Sequence, residues 1–257
     1  KLAYNNTAGY NRPINGKDQS SVYAILMLPR SLNIRDFAAG VDQFGKMLWY
    51  PGALAWTPNP YWLYRYALNQ DKRDRMMLNG SLKYQITDWL SAEVRGGADM
   101  YTTNTEDKTY DGGPLANSYS PGKTTFVETN YSAMINASKK NVFGKLGGSV
   151  MIGGNLMDHK WSSISGSTGQ LEVPNLFSLN NSAGTTSVGA GFSHKKINSL
   201  YGSLEFNYDD WIFLTLTNRN DWSSALSAAN RSYSYPSVNL SYVVTNMLES
   251  VGTTVPE

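Results

Sequence analysis

The sequence predicts an all-β chain: an antiparallel transmembrane β-barrel wall with long external loops and one short helix. Three observations predict it. Apolar and polar residues alternate with a period of two over stretches of about 10 residues, the signature of two-faced strands long enough to cross a bilayer with tilt. Short turns alternate regularly with long connections rich in Gly, Ser, Asn and Thr. Trp and Tyr flank the short turns, where a membrane interface would hold them.

The elements follow in order. A strand near Lys1–Tyr10 opens the chain. Residues Ser31–Asp71 do not alternate. There Ile34, Phe37, Val41, Phe44 and Leu48 stand near helical spacing, which predicts a short helix from Asn33 to Met47 with Asn33 or Ser31 as its cap. An aromatic-dense segment follows, with Trp49, Tyr50, Trp56, Tyr61 and Trp62 broken by Pro51, Pro58 and Pro60. So long an insertion is more often functional than filler. Its aromatics are candidate contacts for a substrate or partner, although rings this dense can also pack on one another as a loop core.

The wall proper is expected over residues 75–245. Met76–Ile86 and Leu90–Met100 form a hairpin across Thr87-Asp88-Trp89, and Val127–Ala137 pairs with Leu146–Leu156 across Lys139–Phe143. Leu200–Tyr208 and Ile212–Arg219 join through Asp209-Asp210-Trp211, and Ser234–Thr245 closes the series. Long external loops are expected at Thr102–Phe126, Met157–Ile197 and Asp221–Tyr233. With every tight turn at one end, the pattern is that of a barrel with short periplasmic turns and long outer loops.

Composition agrees. The chain has 257 residues, of which 16% are charged, 41% hydrophobic and 12% aromatic, and it carries no Cys. Disulfides, zinc-thiolate sites and thiol nucleophiles are therefore ruled out. A mean hydropathy of −0.39 suits a barrel with a polar lumen as well as it suits a soluble domain. A net charge of +2 gives no reason to expect a nucleic-acid partner. His159 and His194 fall in expected loops without a third ligand at metal spacing, and no nucleophile elbow, P-loop or dinucleotide fingerprint occurs. No catalytic, cofactor or metal residue is assigned, and the chain is not expected to be an enzyme. Lys83, Glu93, Arg95, Asp99, Glu128 and Glu205 all occupy the polar positions of the strands. They are expected to face the lumen, because a charge on the lipid side at midplane costs about 2–4 kcal/mol.

Arg219-Asn220-Asp221-Trp222-Ser223-Ser224, followed by Tyr233-Ser234-Tyr235-Pro236-Ser237-Val238, is very similar to a signature of the SusC/RagA-like TonB-dependent outer-membrane transporters of Bacteroidetes. Lys196–Gly202, Asn59-Pro60-Tyr61-Trp62, Asp71–Arg75 and Ile86–Leu90 also resemble that family. The resemblance runs from Ser31 to Val244. It implies a 22-stranded barrel in the bacterial outer membrane, an N-terminal plug energised by TonB, a SusD-like surface lipoprotein partner, and import of glycans or peptides. Plug, TonB box and closing strands are missing from the pattern, so residues 1–257 are expected to be an internal portion of a longer polypeptide. A passive porin-like or structural barrel would share the alternation without the signature.

Overall fold

A computed structural model describes residues 1–12, 20–54 and 56–250; the last residues of the 1–257 unit expected from the sequence lie outside this range. Eight strands form one sheet in the order β1-β2-β3-β4-β5-β6-β7-β8, every neighbour antiparallel. They are β1 (Leu2–Tyr10), β2 (Ala67–Thr87), β3 (Leu90–Thr109), β4 (Ser118–Phe143), β5 (Leu146–Ser167), β6 (Ser187–Tyr208), β7 (Ile212–Ser223) and β8 (Ser232–Tyr242). The expected all-β wall is present, including the strand near Lys1–Tyr10. Among the described residues no ladder joins β8 back to β1.

Register settles which residues share a face. The row Tyr84–Ala92–Ile135–Ile152–Gly202 runs across β2 to β6, and Leu204–Leu216–Val238 extends the same face across β6 to β8. Adjacent rows on the opposite face read Gln85–Ser91–Asn136–Met151–Ser203–Thr217–Ser237 and Lys83–Glu93–Met134–Gly153–Tyr201–Arg219–Tyr235. One face is therefore apolar and the other polar, without interruption, from β2 to β8.

Nothing in the described residues covers the apolar face. The buried apolar side chains are Ala24, Trp62, Leu63 and Leu171, none of them on a strand of the sheet, while Leu82, Ile135, Ile152, Leu200 and Val238 stay more than 40% exposed. The accessible surface is 16736 Å², against about 11,000 Å² for a compact globular protein of 28.4 kDa. The excess reflects a sheet left open on both faces, one of them apolar.

The strands run longer than the alternation indicated. β4 has 26 residues and β2, β3, β5 and β6 have 20 to 22. Much of what reads as loop at Thr102–Phe126 and Met157–Ile197 is strand, so His159 and His194 lie on β5 and β6 rather than in loops. The reason is physical: beyond the apolar band both faces of the ladder mix Ser, Thr, Asn and charged residues with scattered aromatics and aliphatics, and the two-residue period that marks a strand disappears.

The tight turns β2–β3, β4–β5 and β6–β7 share one end. In the last, Asp209 (φ 52°) and Asp210 (φ 56°) are both left-handed, the backbone of a type I′ hairpin turn, and the Lys145 ammonium holds the Asp209 carboxylate at 2.5 Å. The other end carries the insertion between β1 and β2. The helix expected over Asn33–Met47 is a single 3₁₀ turn, Ile34–Phe37, capped by Asn33. Val41 and Met47 then bridge as an extended pair, and Asp42 folds the intervening turn by accepting from the amides of Phe44 and Lys46. The insertion's helices are instead α1 (Ser21–Leu26) and α2 (Pro60–Tyr66). A short α3 (Val244–Ser250) replaces the end of the last expected strand, which stops at Tyr242.

Candidate functional site

The polar face is the candidate site. All six charged residues expected to share it do so: Lys83 pairs with Glu93, Asp99 with Glu128, and Arg95 and Glu205 stand at positions of the same parity. Glu93 accepts both guanidinium contacts of Arg95, at 2.6 and 3.0 Å, and the Arg95 side chain remains more than half exposed. These charges are solvated and partly paired, forming a lattice and not an isolated pocket.

The structure adds a feature not anticipated from sequence. Tyr101, Phe126 and Trp161 occupy one row of the polar face across β3, β4 and β5. Tyr101 and Phe126 stack with centroids 4.7 Å apart and planes 11° from parallel, and His159 meets the edge of Phe126 at 4.9 Å. The Arg73 guanidinium lies 4.6 Å above the Tyr101 ring, a cation–π contact. The neighbouring row carries ion pairs. Arg75 grips Asp99 through two contacts of 2.8 and 2.5 Å, and Glu128 faces His159 at 3.3 Å while accepting from Asn130. A half-exposed aromatic shelf edged by paired charges of both signs is chemistry for holding an amphipathic, polar solute reversibly. Arg73, Tyr101, Phe126 and Trp161 lay in or beside an expected loop, and the alternation of aromatic with Thr and Ser along β3 to β5 was the signal that could have placed them.

Glycines set how the aromatics lie. A Cβ at Gly153 would fall 2.7 Å from the Tyr201 ring, and one at Gly191 would fall 2.9 Å from Trp161. Both rings therefore lie flat across a neighbouring strand, which fixes them at low entropic cost.

The insertion aromatics are placed differently. Trp62 has no accessible surface, so it serves the loop's own core and not a contact surface, a correction to its candidacy. Trp49, Tyr50, Trp56 and Tyr61 are half-buried. Trp49 packs edge-on to Phe37 at 5.0 Å, tilts against Tyr50 and donates its indole N–H to the Thr57 carbonyl. Trp56 packs on Tyr23 at 5.4 Å. Asn59, also fully buried, caps α2 at the Tyr61 amide and donates to the Phe37 and Leu48 carbonyls. Asn59-Pro60-Tyr61-Trp62 is thus the organiser of the loop.

The residues Arg219–Trp222 are also chiefly structural here. Arg219 donates to Asp221 at 2.8 Å and to Ser199 at 2.9 Å on the polar face, where Tyr235 is its cross-strand neighbour. Asn220 bonds Ser232 across the hairpin, Trp222 points to the apolar side, and Pro236 sits on β8 opposite Asn218. Asp158 and His159, adjacent in sequence, point to opposite faces. The Asp158 carboxylate accepts from His194 at 3.0 Å and faces Lys196 at 3.3 Å on the apolar side. Among the described residues no three His, Asp or Glu side chains gather as a metal site.

At the end opposite the tight turns, electrostatics are set by a compact knot. Lys108 donates to Glu106 at 2.7 Å, and Gln70 and Tyr119 donate to the same carboxylate. The Lys108 hydrogen bond chiefly holds the Glu106 carboxyl below the usual range, while burial pushes the neighbouring Asp107 carboxyl up. Phe177, from the β5–β6 connection, packs on Tyr110 at 4.8 Å, so that loop folds back over the strand ends.

Comparison with known proteins bears on the fold. No protein-family model and no curated protein matches the chain. Solved structures do. The chain superposes on the RagAB peptide transporter with a TM-score of 0.74 at 17% identity, covering 97% of this chain and 29% of that one. The RagAB peptide importer matches in its closed-closed state (0.71, 18%, 97% and 29%) and in its open-open state (0.68, 17%, 95% and 28%). Residues 1–257 thus span less than a third of each matched chain. At such identity the likeness concerns the fold alone: the chain has the fold of a section of the matched structures' β-sheet wall.

Proposed function

We propose that the chain is a section of the barrel wall of an outer-membrane active importer of the SusC-like kind. It would take up peptides or oligosaccharides beneath a SusD-like surface lipoprotein, driven by TonB through a plug that these residues do not form. The observation that carries the reading is the sheet itself: a wall without a core, apolar on one side and edged with aromatics and charge on the other. Lipid satisfies the first face, and water with a passing solute satisfies the second. Short peptides are the favoured cargo, because Arg75–Asp99 and Glu128–His159 offer both signs of charge beside the Tyr101–Phe126 stack. The solved structures of like fold are peptide transporters, which supports the same choice.

The wall binds and releases; no bond chemistry is assigned to it. The test is uptake of a labelled short peptide and a labelled oligosaccharide by cells carrying Tyr101→Ala with Arg75→Gln. Peptide uptake is expected to fall about tenfold at unchanged outer-membrane abundance, the loss of one aromatic and one charged contact. Unchanged peptide uptake would refute the role of the shelf, and uptake that persists after TonB is removed would refute active import.

A further inference from the structure

We propose that the apolar side of the wall carries a binding site for the phosphate-bearing headgroup of an outer-leaflet lipid, at the junction of β6 with the β7–β8 connection. The site rests on the lipid-facing reading of the apolar side and adds to it a specific ligand. Lys196, Asn198, Trp222, Ser223, Ser224 and Arg231 line an open pocket of about 380 Å³. The backbone builds it deliberately. Ser224 donates its amide to the Lys196 carbonyl at 2.9 Å, its hydroxyl accepts from the Lys196 amide at 2.8 Å, and the Ser223 amide bonds the Arg231 carbonyl. The connection is thereby folded down onto β6, bringing Arg231 to the pocket that Lys196 lines.

Charge favours an anion. Lys160 and His194 adjoin Lys196 around the single carboxylate of Asp158, and Arg231 adds a further cation with no carboxylate within ion-pair distance among the described residues. Position favours a lipid over a soluble anion. Asn198 and Asp158 lie two residues beyond Leu200 and Leu156, where the unbroken apolar run of this face ends, although Ile164, Phe192 and Val188 stand exposed further out on the same face. That places the cations roughly 5 Å above the apolar band. Trp222, on the same face and beside Asn198, occupies interfacial depth. Below the pocket, Gly154 and Gly202 lie between Leu156, Ile152, Leu200 and Leu204, and a Cβ on either glycine would meet only a backbone carbonyl oxygen at 3.3 or 3.4 Å. This leaves a shallow, glycine-floored track running from the pocket down the apolar face, suited to an acyl chain. Basic pockets at membrane level hold lipid headgroups by this combination of charge and buried chain.

The experiment uses the intact protein extracted from outer membranes in mild detergent. Binding of bis-phosphorylated lipid A, of its dephosphorylated form and of inorganic phosphate is measured by native mass spectrometry. The wild type is expected to hold the phosphorylated lipid and neither of the other two. Lys196→Gln with Arg231→Gln is expected to weaken it about thirtyfold, two interfacial charges' worth. Asp158→Asn, which removes the competing anion, is expected to tighten it, so the site stays testable if the double variant assembles poorly. Equal binding of the dephosphorylated lipid, equal binding of inorganic phosphate, or no response to either set of substitutions would overturn the site. Failure here is separable from failure of the importer reading. Peptide uptake by the double variant reports transport alone, and insertion of Ile152→Lys reports the lipid-facing assignment alone.

Discussion

Two adjacent residues of β5 test the assignment of faces. Ile152 lies on the apolar face, 59% exposed, beside Ile135 and Gly202, and Met151 lies on the polar face between Asn136 and Ser203. The apolar positions of β5 run from Leu146 to Leu156, about 33 Å of strand, or about 25 Å of height at a tilt near 40°. Ile152 then sits about 15 Å up, within about 3 Å of the middle of that band. A lysine there is expected to cost about 2–4 kcal/mol in a bilayer, which is about 30- to 700-fold in the folding constant. A lysine at Met151, one residue away, gains water and polar neighbours and is expected to cost less than about 0.5 kcal/mol. The assay is refolding of the intact protein into phosphatidylcholine vesicles, with denaturant titration of Ile152→Lys and Met151→Lys. Equal costs, or the larger cost at Met151, would refute the reading that the apolar face meets lipid. Because the pair shares strand, height and added side chain, local propensity cancels.

Three further predictions rest on separate parts of the molecule. Gly113→Ala would place a Cβ about 2.1 Å from the Trp62 ring. Since that ring is fully buried, the substitution should cost about 1–3 kcal/mol, read as faster proteolysis of the β1–β2 insertion with the wall intact; an unchanged cleavage rate would disprove the packing. Glu106 has a depressed folded-state pKa, so its contribution is full above the ordinary Glu range and is lost as pH falls through the depressed value, whereas buried Asp107, with a raised pKa, acts in the opposite sense. Glu106→Gln is therefore expected to abolish the loosening of the knot as pH falls below the ordinary Glu range, followed by hydrogen exchange at residues 106–119; an identical acid profile in the variant would count against the Lys108 pairing. Asp210→Gly should stabilise the β6–β7 hairpin by about 1 kcal/mol, because both central turn residues are left-handed and glycine suits the second. A lower denaturant midpoint for that variant would contradict the turn geometry.

The wall was legible because a membrane strand must separate its faces. Leu200, Leu204 and Phe206 against Tyr201, Ser203 and Glu205 leave no other register, and the register found keeps all six charged candidates together. Legibility failed where the constraint lapsed. Above the apolar band Thr102–Thr109 is polar on both faces, and Ser187–Ser199 carries only isolated apolar residues such as Val188 and Phe192 without a sustained alternation, so their sequence reads as loop although their backbone pairs as ladder. The aromatic shelf was hidden for the same reason. In the insertion, Ile34, Phe37, Val41, Phe44 and Leu48 mimic a helical stripe, but Gly40 (φ 80°) and Gly45 (φ 75°) stand in left-handed backbone that a helix cannot contain. The cap at Asn33 was readable; the helix beyond it was not, because tertiary bonds from Asn59 and a turn at Asp42 claimed its backbone.

The overhanging ladder has a mechanical consequence. From Tyr101↔Phe126 to Thr109↔Ser118, β3 and β4 remain paired at every residue beyond the apolar band, and β5 and β6 continue beside them to Ser167↔Ser187. Antiparallel pairing in such a region loads many hydrogen bonds together when strands are pulled past one another, so the mouth of the wall behaves as a stiff collar. Tension applied at the tight-turn end would travel up the collar with little bending and reach the loops at the far end almost undamped. What yields first is then the short Tyr110–Asn117 link and the knot around Phe177, which makes those joints, and not the strands, the compliant parts of the entrance.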